Sequence, residues 1–178
     1  MNLLVMSDHV PHARHGIMQA ETRQDGHWIG PPGVARAMNL YFSCSLTGGR
    51  NDESVYGAIV EHLLAGGHEV PTAHLARPEV MALEKVIEPG EVYRRDIQWI
   101  RGCDAVIAEV STPSHGVGYE IAFALGIGKP VLCCFRRDAR VSKMLTGNDS
   151  PTLTLRTYDG VGEALTVIDR FLAEGVDA

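Results

Sequence analysis

The chain has 178 residues, room for a single domain with a sizeable core. Hydrophobic residues make up 45% and charged residues 21%, which excludes a disordered chain and a membrane-embedded one. With 16 Lys+Arg against 22 Asp+Glu the net charge is -6, the wrong sign for gripping polymeric DNA or RNA. A single nucleotide is not excluded, because helix N-terminal N–H groups can hold one phosphate.

Residues 1–37 read as an N-terminal extension, and 38–178 as the catalytic domain. In the extension, His9, His12, His15 and His27 lie among Pro11, Pro31, Pro32 and several glycines with no sustained period, and their spacing matches no ordered metal site. The short apolar run Leu3 to Met6 is too brief for a signal-peptide core or for a span of about 20 apolar residues, so no membrane partner and a cytoplasmic location are expected. Met38 stands directly before the first convincing strand and could serve as a later start.

From Asn39 onward, short apolar runs alternate with helical patterns. A strand is predicted at Leu40–Ser43, then a helix near Glu53–Ala65, where Val55, Ile59 and Leu63 recur at i+4. His68–Thr72 reads as a strand, Pro78–Ile87 and Glu91–Arg101 as helices, Ala105–Val110 as a strand, and Val117–Ile127 as a helix. Pro130–Phe135 and Thr152–Thr157 read as strands, and Val161–Ala173 as a closing helix. Five strands separated by helices imply an α/β fold with a parallel sheet covered on both faces, since parallel strands need crossover connections. Ligands of such sheets bind beyond the carboxyl ends of the strands. The cysteines Cys44, Cys103, Cys133 and Cys134 show no zinc spacing and read as reduced core thiols.

Three strand-to-helix regions carry chemistry. The first is Ser43 to Arg50, in which Gly48-Gly49 would admit a ligand close to the backbone; it is either a phosphate or sugar cradle or a plain turn. The second is Ser111 to Glu120, which opens into an apolar helix. Its free N–H groups and dipole, with Ser114, suit a phosphate, and the same field would keep a first-turn Glu120 ionised as a nucleophile. The opposing reading is a surface glutamate that merely complements the dipole. The third is Asp96, which shares a helix face with Val92, Trp99 and Ile100. Desolvation there would raise its pKa and suit a general acid, whereas pairing with Arg94, Arg95 or Arg101 would make it an ordinary helix-edge aspartate. Two carboxyl groups in contrasting environments are what glycosyl transfer requires. His74 and His115 could contact substrate or be loop histidines, and Arg156 and Tyr158 carry no readable signal.

The strings Tyr41-Phe42-Ser43-Cys44-Ser45 with Gly48-Gly49-Arg50, Asp96-Ile97-Gln98-Trp99, Ala108-Glu109-Val110 with Pro113 to Glu120, and Lys129 to Cys133 together resemble the nucleoside 2-deoxyribosyltransferase superfamily, over about Asn39 to Ala173. Within it they look most like the 2'-deoxynucleoside 5'-phosphate N-hydrolase branch. The resemblance implies a flavodoxin-like five-stranded sheet and a retaining double displacement. In it Glu120 would be the nucleophile, Asp96 would assist base departure and then the water, and Tyr41 would sit beside Glu120. It implies that Ser45, Gly48, Gly49 and Arg50 line the phosphate end, that Ser114, Gly116 and Gly118 form the helix opening over the phosphate, and that His74 edges the site. Ser142 matches a serine that reaches the phosphate from a neighbouring subunit, which implies a homodimer. Thr47 and Cys44 depart from the pattern, where relatives carry arginine and glycine. The substrate expected is a small nucleotide, with no cofactor and no metal. The alternatives are a deoxyribosyltransferase acting on nucleosides and, in another class, a non-catalytic nucleotide-binding sensor.

Overall fold

The structure, a computed structural model, describes residues 21–22, 28–29, 36–46, 52–76 and 86–174. The chain divides into two units, Met1–Val34 and Ala35–Ala178. In the first, β1 (Glu21–Thr22) pairs antiparallel with β2 (Trp28–Ile29), a short hairpin in a segment whose sequence shows no period.

The second unit is built on a parallel sheet of β3 (Leu40–Ser43), β4 (Ala105–Glu109), β5 (Val131–Arg136) and β6 (Leu153–Tyr158), lying side by side in that order. Every residue of β3 and β4 is buried, as continuous apolar runs predict for strands covered on both faces. Alternate side chains feed two cores. Leu40, Phe42, Ile107 and Leu132 pack on one face with Ile59 and Leu63 of α1 (Glu53–Ala65) and Ile168 of α5 (Val161–Glu174). Tyr41, Val106, Ala108 and Val131 pack on the other with Ile100 of α2 (Pro89–Gly102) and Ile121 of α3 (His115–Gly126). Each such aliphatic chain, fully buried, contributes roughly 1.5–3 kcal/mol. Gly128, at φ 74°, follows the end of α3, a left-handed position that favours glycine.

Among the described residues the parallel sheet has four strands where five are expected. The predicted strand His68–Thr72 is reduced to one parallel bridge between Asn39 and Glu69, closed by Leu40 N–H to the Glu69 carbonyl and Glu69 N–H to the Met38 carbonyl, both 2.8 Å. Pro71 lacks an N–H and restricts Val70, so the ladder stops and the chain turns into a 3-10 helix at Ala73–Ala76. A short helix not foreseen, α4 (Lys143–Thr146), follows β5. Of the predicted helix Pro78–Ile87, residues 78–85 lie outside the described residues, as do the four N-terminal histidines; Val86 and Ile87 form the turn before α2. Among the described residues no helix is long and apolar enough to cross a membrane.

Candidate active site

Strand alternation puts Tyr41 and Ser43 on the same face of the sheet, the face covered by α2 and α3. There the Ser43 hydroxyl donates a short hydrogen bond to Oε2 of Glu120. Tyr41 is fully buried, and its hydroxyl lacks a well-formed hydrogen bond among the described residues. Burial, with the nearby Glu120 and Asp96 carboxyls, pushes the Tyr41 phenol far up, so it stays protonated as a donor facing Glu120. Burial also raises the Glu120 carboxyl above the ordinary carboxylate range; the Ser43 and Tyr41 hydroxyls pull it back, and Asp96 raises it further. The two acids and the phenol therefore share one electrostatic field.

This corrects the first-turn expectation for Glu120. Helix α3 begins at His115, so Glu120 stands in its second turn, beyond the reach of the terminal dipole. The groups that favour its ionised form are the Ser43 hydroxyl and, after it, the Tyr41 hydroxyl, both on β3.

Asp96 comes from the middle of α2 with its side chain only 16% exposed, and Arg95 Nε donates to its Oδ1 at 2.8 Å. Of the two settings open for Asp96, the arginine partner is the one present, and it is Arg95; Asp96 still reaches Glu120 and Tyr41 electrostatically. The Arg95 guanidinium lies over the Trp99 ring, 4.9 Å from its centroid, and His74 meets Trp99 edge-on at 6.0 Å. His74 is thus linked to Asp96 through Trp99 and Arg95.

The expected phosphate residues divide. Ser114 is the N-cap of α3, in extended conformation, and its side chain makes no capping bond to its own helix. Gly116 and Gly118 follow in the first turn, and no side chain on Gly118 would meet a neighbour within 4 Å. Ser45 is fully buried at the end of β3, its hydroxyl without a hydrogen-bond partner among the described residues. Gly48, Gly49 and Arg50 lie outside the described residues. Ser142 caps α4, accepting from Met144 N–H at 3.2 Å. It lines a groove of about 860 Å³ that also takes in Ser114, His115, Gly118, Arg140 and Lys143, on the flank of α3 away from α2. Ser114 and Ser142 thus border one groove of a single chain.

Sequence reasoning missed Ser43 as a site residue; its place two residues after Tyr41 on a strand was the available signal. It also missed the cluster on the opposite face, around Glu109. That fully buried carboxyl accepts through Oε1 from Ser111 N–H at 3.1 Å, from the Ser111 hydroxyl and from the Tyr158 hydroxyl at 2.8 Å. Burial raises the Glu109 carboxyl, while these donors pull it back. Tyr158, which carried no sequence signal, is therefore a structural donor.

Residues 40–156 match the family described as nucleoside 2-deoxyribosyltransferase. A protein of Methanococcoides burtonii named as a 2'-deoxynucleoside 5'-phosphate N-hydrolase is 38% identical over 121 residues, 68% of this chain and 99% of its own. A 5-hydroxymethyl-dUMP N-hydrolase of Rattus norvegicus is 36% identical over 137 residues, 75% of this chain and 83% of its own. Among solved structures, a CMP N-glycosidase of Clostridium botulinum has the same fold at a TM-score of 0.57 and 19% identity, covering 74% of this chain and 98% of its own.

Proposed function

We propose, from the premise that the chain belongs to the nucleoside 2-deoxyribosyltransferase family, that it is an N-glycosidase: it hydrolyses the bond between base and sugar in 2'-deoxynucleoside 5'-monophosphates. The observation that carries this reading is Glu120, half-buried, hydrogen-bonded by Ser43, and in the field of a second carboxyl, Asp96, and of the Tyr41 phenol.

The chemistry follows from those groups. The Glu120 carboxylate attacks the anomeric carbon as the C–N bond breaks, and the base leaves with a proton supplied through Asp96. Water, deprotonated at Asp96, then opens the glycosyl ester, giving 2-deoxyribose 5-phosphate and the free Glu120 carboxylate. Arg95 orients Asp96, and Tyr41 and Ser43 steady Glu120. No step needs a cofactor or metal. Ser114, Gly116 and Gly118 would hold the phosphate at the opening of α3, and Ser45, Gly48, Gly49 and Arg50 would close the same end. The Ser114 side chain, which makes no capping bond, and the Ser45 hydroxyl, without a hydrogen-bond partner among the described residues, support a phosphate oxygen there.

A homodimer belongs to the same reading. In it, the α3–α4 groove receives a second copy, and Ser142 of each copy serves the neighbour's phosphate. The 82% exposed Met144 in that groove supports this. The Glu69 bridge beside β3 supports a flavodoxin-like order, with the fifth strand position at that edge. The domain is proposed to span 38–178 and to act in the cytoplasm.

The test is to supply a deoxynucleoside monophosphate and the matching nucleoside separately and to measure free base. Release from the monophosphate is expected. Release from the nucleoside alone, or only when a second base is added, would favour deoxyribosyl transfer instead. Unchanged monophosphate binding by Glu120→Ala, with no release by the parent, would favour a sensor.

A further inference from the structure

Two loops of the phosphate end start where strands stop: residues 110–114 after β4 and residues 137–142 after β5. Both are tied to the start of α1 by one buried carboxylate. Asp52 is the N-cap of α1 and is 3% exposed, yet its side chain makes no bond to its own helix; its backbone carbonyl alone receives Val55 and Tyr56 N–H. A capping aspartate normally turns its carboxylate onto its own first turn. Here Oδ2 accepts from the Thr112 hydroxyl at 3.0 Å, and Oδ1 takes a short bond from the Arg136 guanidinium. The Arg136 Nε donates to Asp138 at 3.3 Å, inside the second loop, and its backbone N–H donates to the Ser111 hydroxyl at 2.8 Å, inside the first. Asp52, Thr112, Ser111 and Arg136 so close a ring that fixes one loop against the other.

We infer that Asp52 and Arg136 form a positioning clamp, which holds Ser114 where it meets its own phosphate and the 137–142 loop where it carries Ser142 toward the neighbouring copy, without touching the reacting atoms. The inference rests on the phosphate-end assignment made above and goes beyond it, because neither residue carries any role in that chemistry. The clamp lies on the sheet face opposite Glu120, so its loss should weaken phosphate binding and spare the chemical step.

The test is Asp52→Asn, which keeps size and an acceptor for Thr112 but removes the anion from Arg136. Inorganic phosphate binding, read by titration calorimetry, should weaken about tenfold, the worth of one charge-assisted hydrogen bond, and KM for a deoxynucleoside monophosphate should rise in step while kcat stays within about twofold. Thr112→Val, which leaves every charge in place, should move both constants in the same direction by less, and it carries the test alone if Asp52→Asn does not fold. A fall in kcat with KM and phosphate affinity unchanged would overturn the clamp, as would folded variants in which nothing moves. A parent protein that binds phosphate but releases no base leaves the clamp standing and removes the hydrolase reading. One that binds no phosphate overturns the clamp.

Discussion

Glu109 and Glu120 are each bonded by a serine hydroxyl and each have a carboxyl raised by burial, yet their surroundings suit them to opposite tasks. Glu109, on the α1 and α5 face, is fully enclosed, and one of its oxygens already receives Ser111 twice and Tyr158 once. Glu120, on the α2 and α3 face, keeps partial access to solvent, is steadied by Ser43, and sits beside a second acid. A nucleophile needs an accessible lone pair, which Glu109 lacks: three donors take up its Oε1, and its Oε2 is buried without a hydrogen-bond partner among the described residues. Burial and a neighbouring acid do not distinguish the two glutamates, because Asp52 raises the Glu109 carboxyl as Asp96 raises that of Glu120. Access to solvent does.

That contrast breaks first at Glu120. Glu120→Ala should lower kcat for base release on the order of 10⁴-fold or more in a folded protein, whereas Glu109→Gln should leave kcat within about threefold, both read by steady-state assay. Equal losses in the two variants would abolish the distinction. Asp96→Asn comes next, with a loss of about 10²–10⁴-fold, the usual range for a general acid and base.

A smaller effect sharpens the role of Ser43. Glu120 must be ionised to attack, and its carboxyl titrates above the ordinary range, so kcat/KM should fall as pH drops through that raised value. Ser43→Ala removes the hydroxyl that most favours the ionised form, so the acidic limb should move to higher pH. An unmoved limb would show that Ser43 does not hold the carboxylate.

The smallest effect concerns stability at Glu109. A carboxyl with a raised folded-state pKa favours folding when protonated. That stabilisation is complete below the unfolded carboxylate value and is lost as pH rises through the raised one. Glu109→Gln should flatten that part of the pH dependence of Tm, leaving the variant at least as stable as the parent above the raised value. A steeper dependence in the variant would contradict the assignment.

Much of this was legible in the residues themselves. Strands covered on both faces leave unbroken apolar runs, so β3 to β6 and the helices α1, α2, α3 and α5 could be read in order, while the four-residue α4 is too short to leave a period. The second strand failed because Pro71 stops pairing after one bridge, a tertiary outcome that alternation does not reveal. Glu120 was recognisable but misplaced within its helix, because α3 starts at His115 rather than at the apolar run. For Asp96 the residues left open an apolar face or pairing with Arg94, Arg95 or Arg101, and the structure gives Arg95, which folds back onto Asp96 while lying over Trp99, four residues on. The Glu109 and Asp52 clusters join residues 49 and 84 positions apart, beyond any local pattern.

The most direct test of Glu120 as nucleophile is rapid acid quenching of the protein with a deoxynucleoside monophosphate, followed by peptide mass mapping. The peptide containing Glu120 should carry the added mass of a 2-deoxyribose 5-phosphate group, fragmenting to that residue, and the adduct should be absent from Glu120→Ala. An active protein whose adduct forms on another residue would contradict the account.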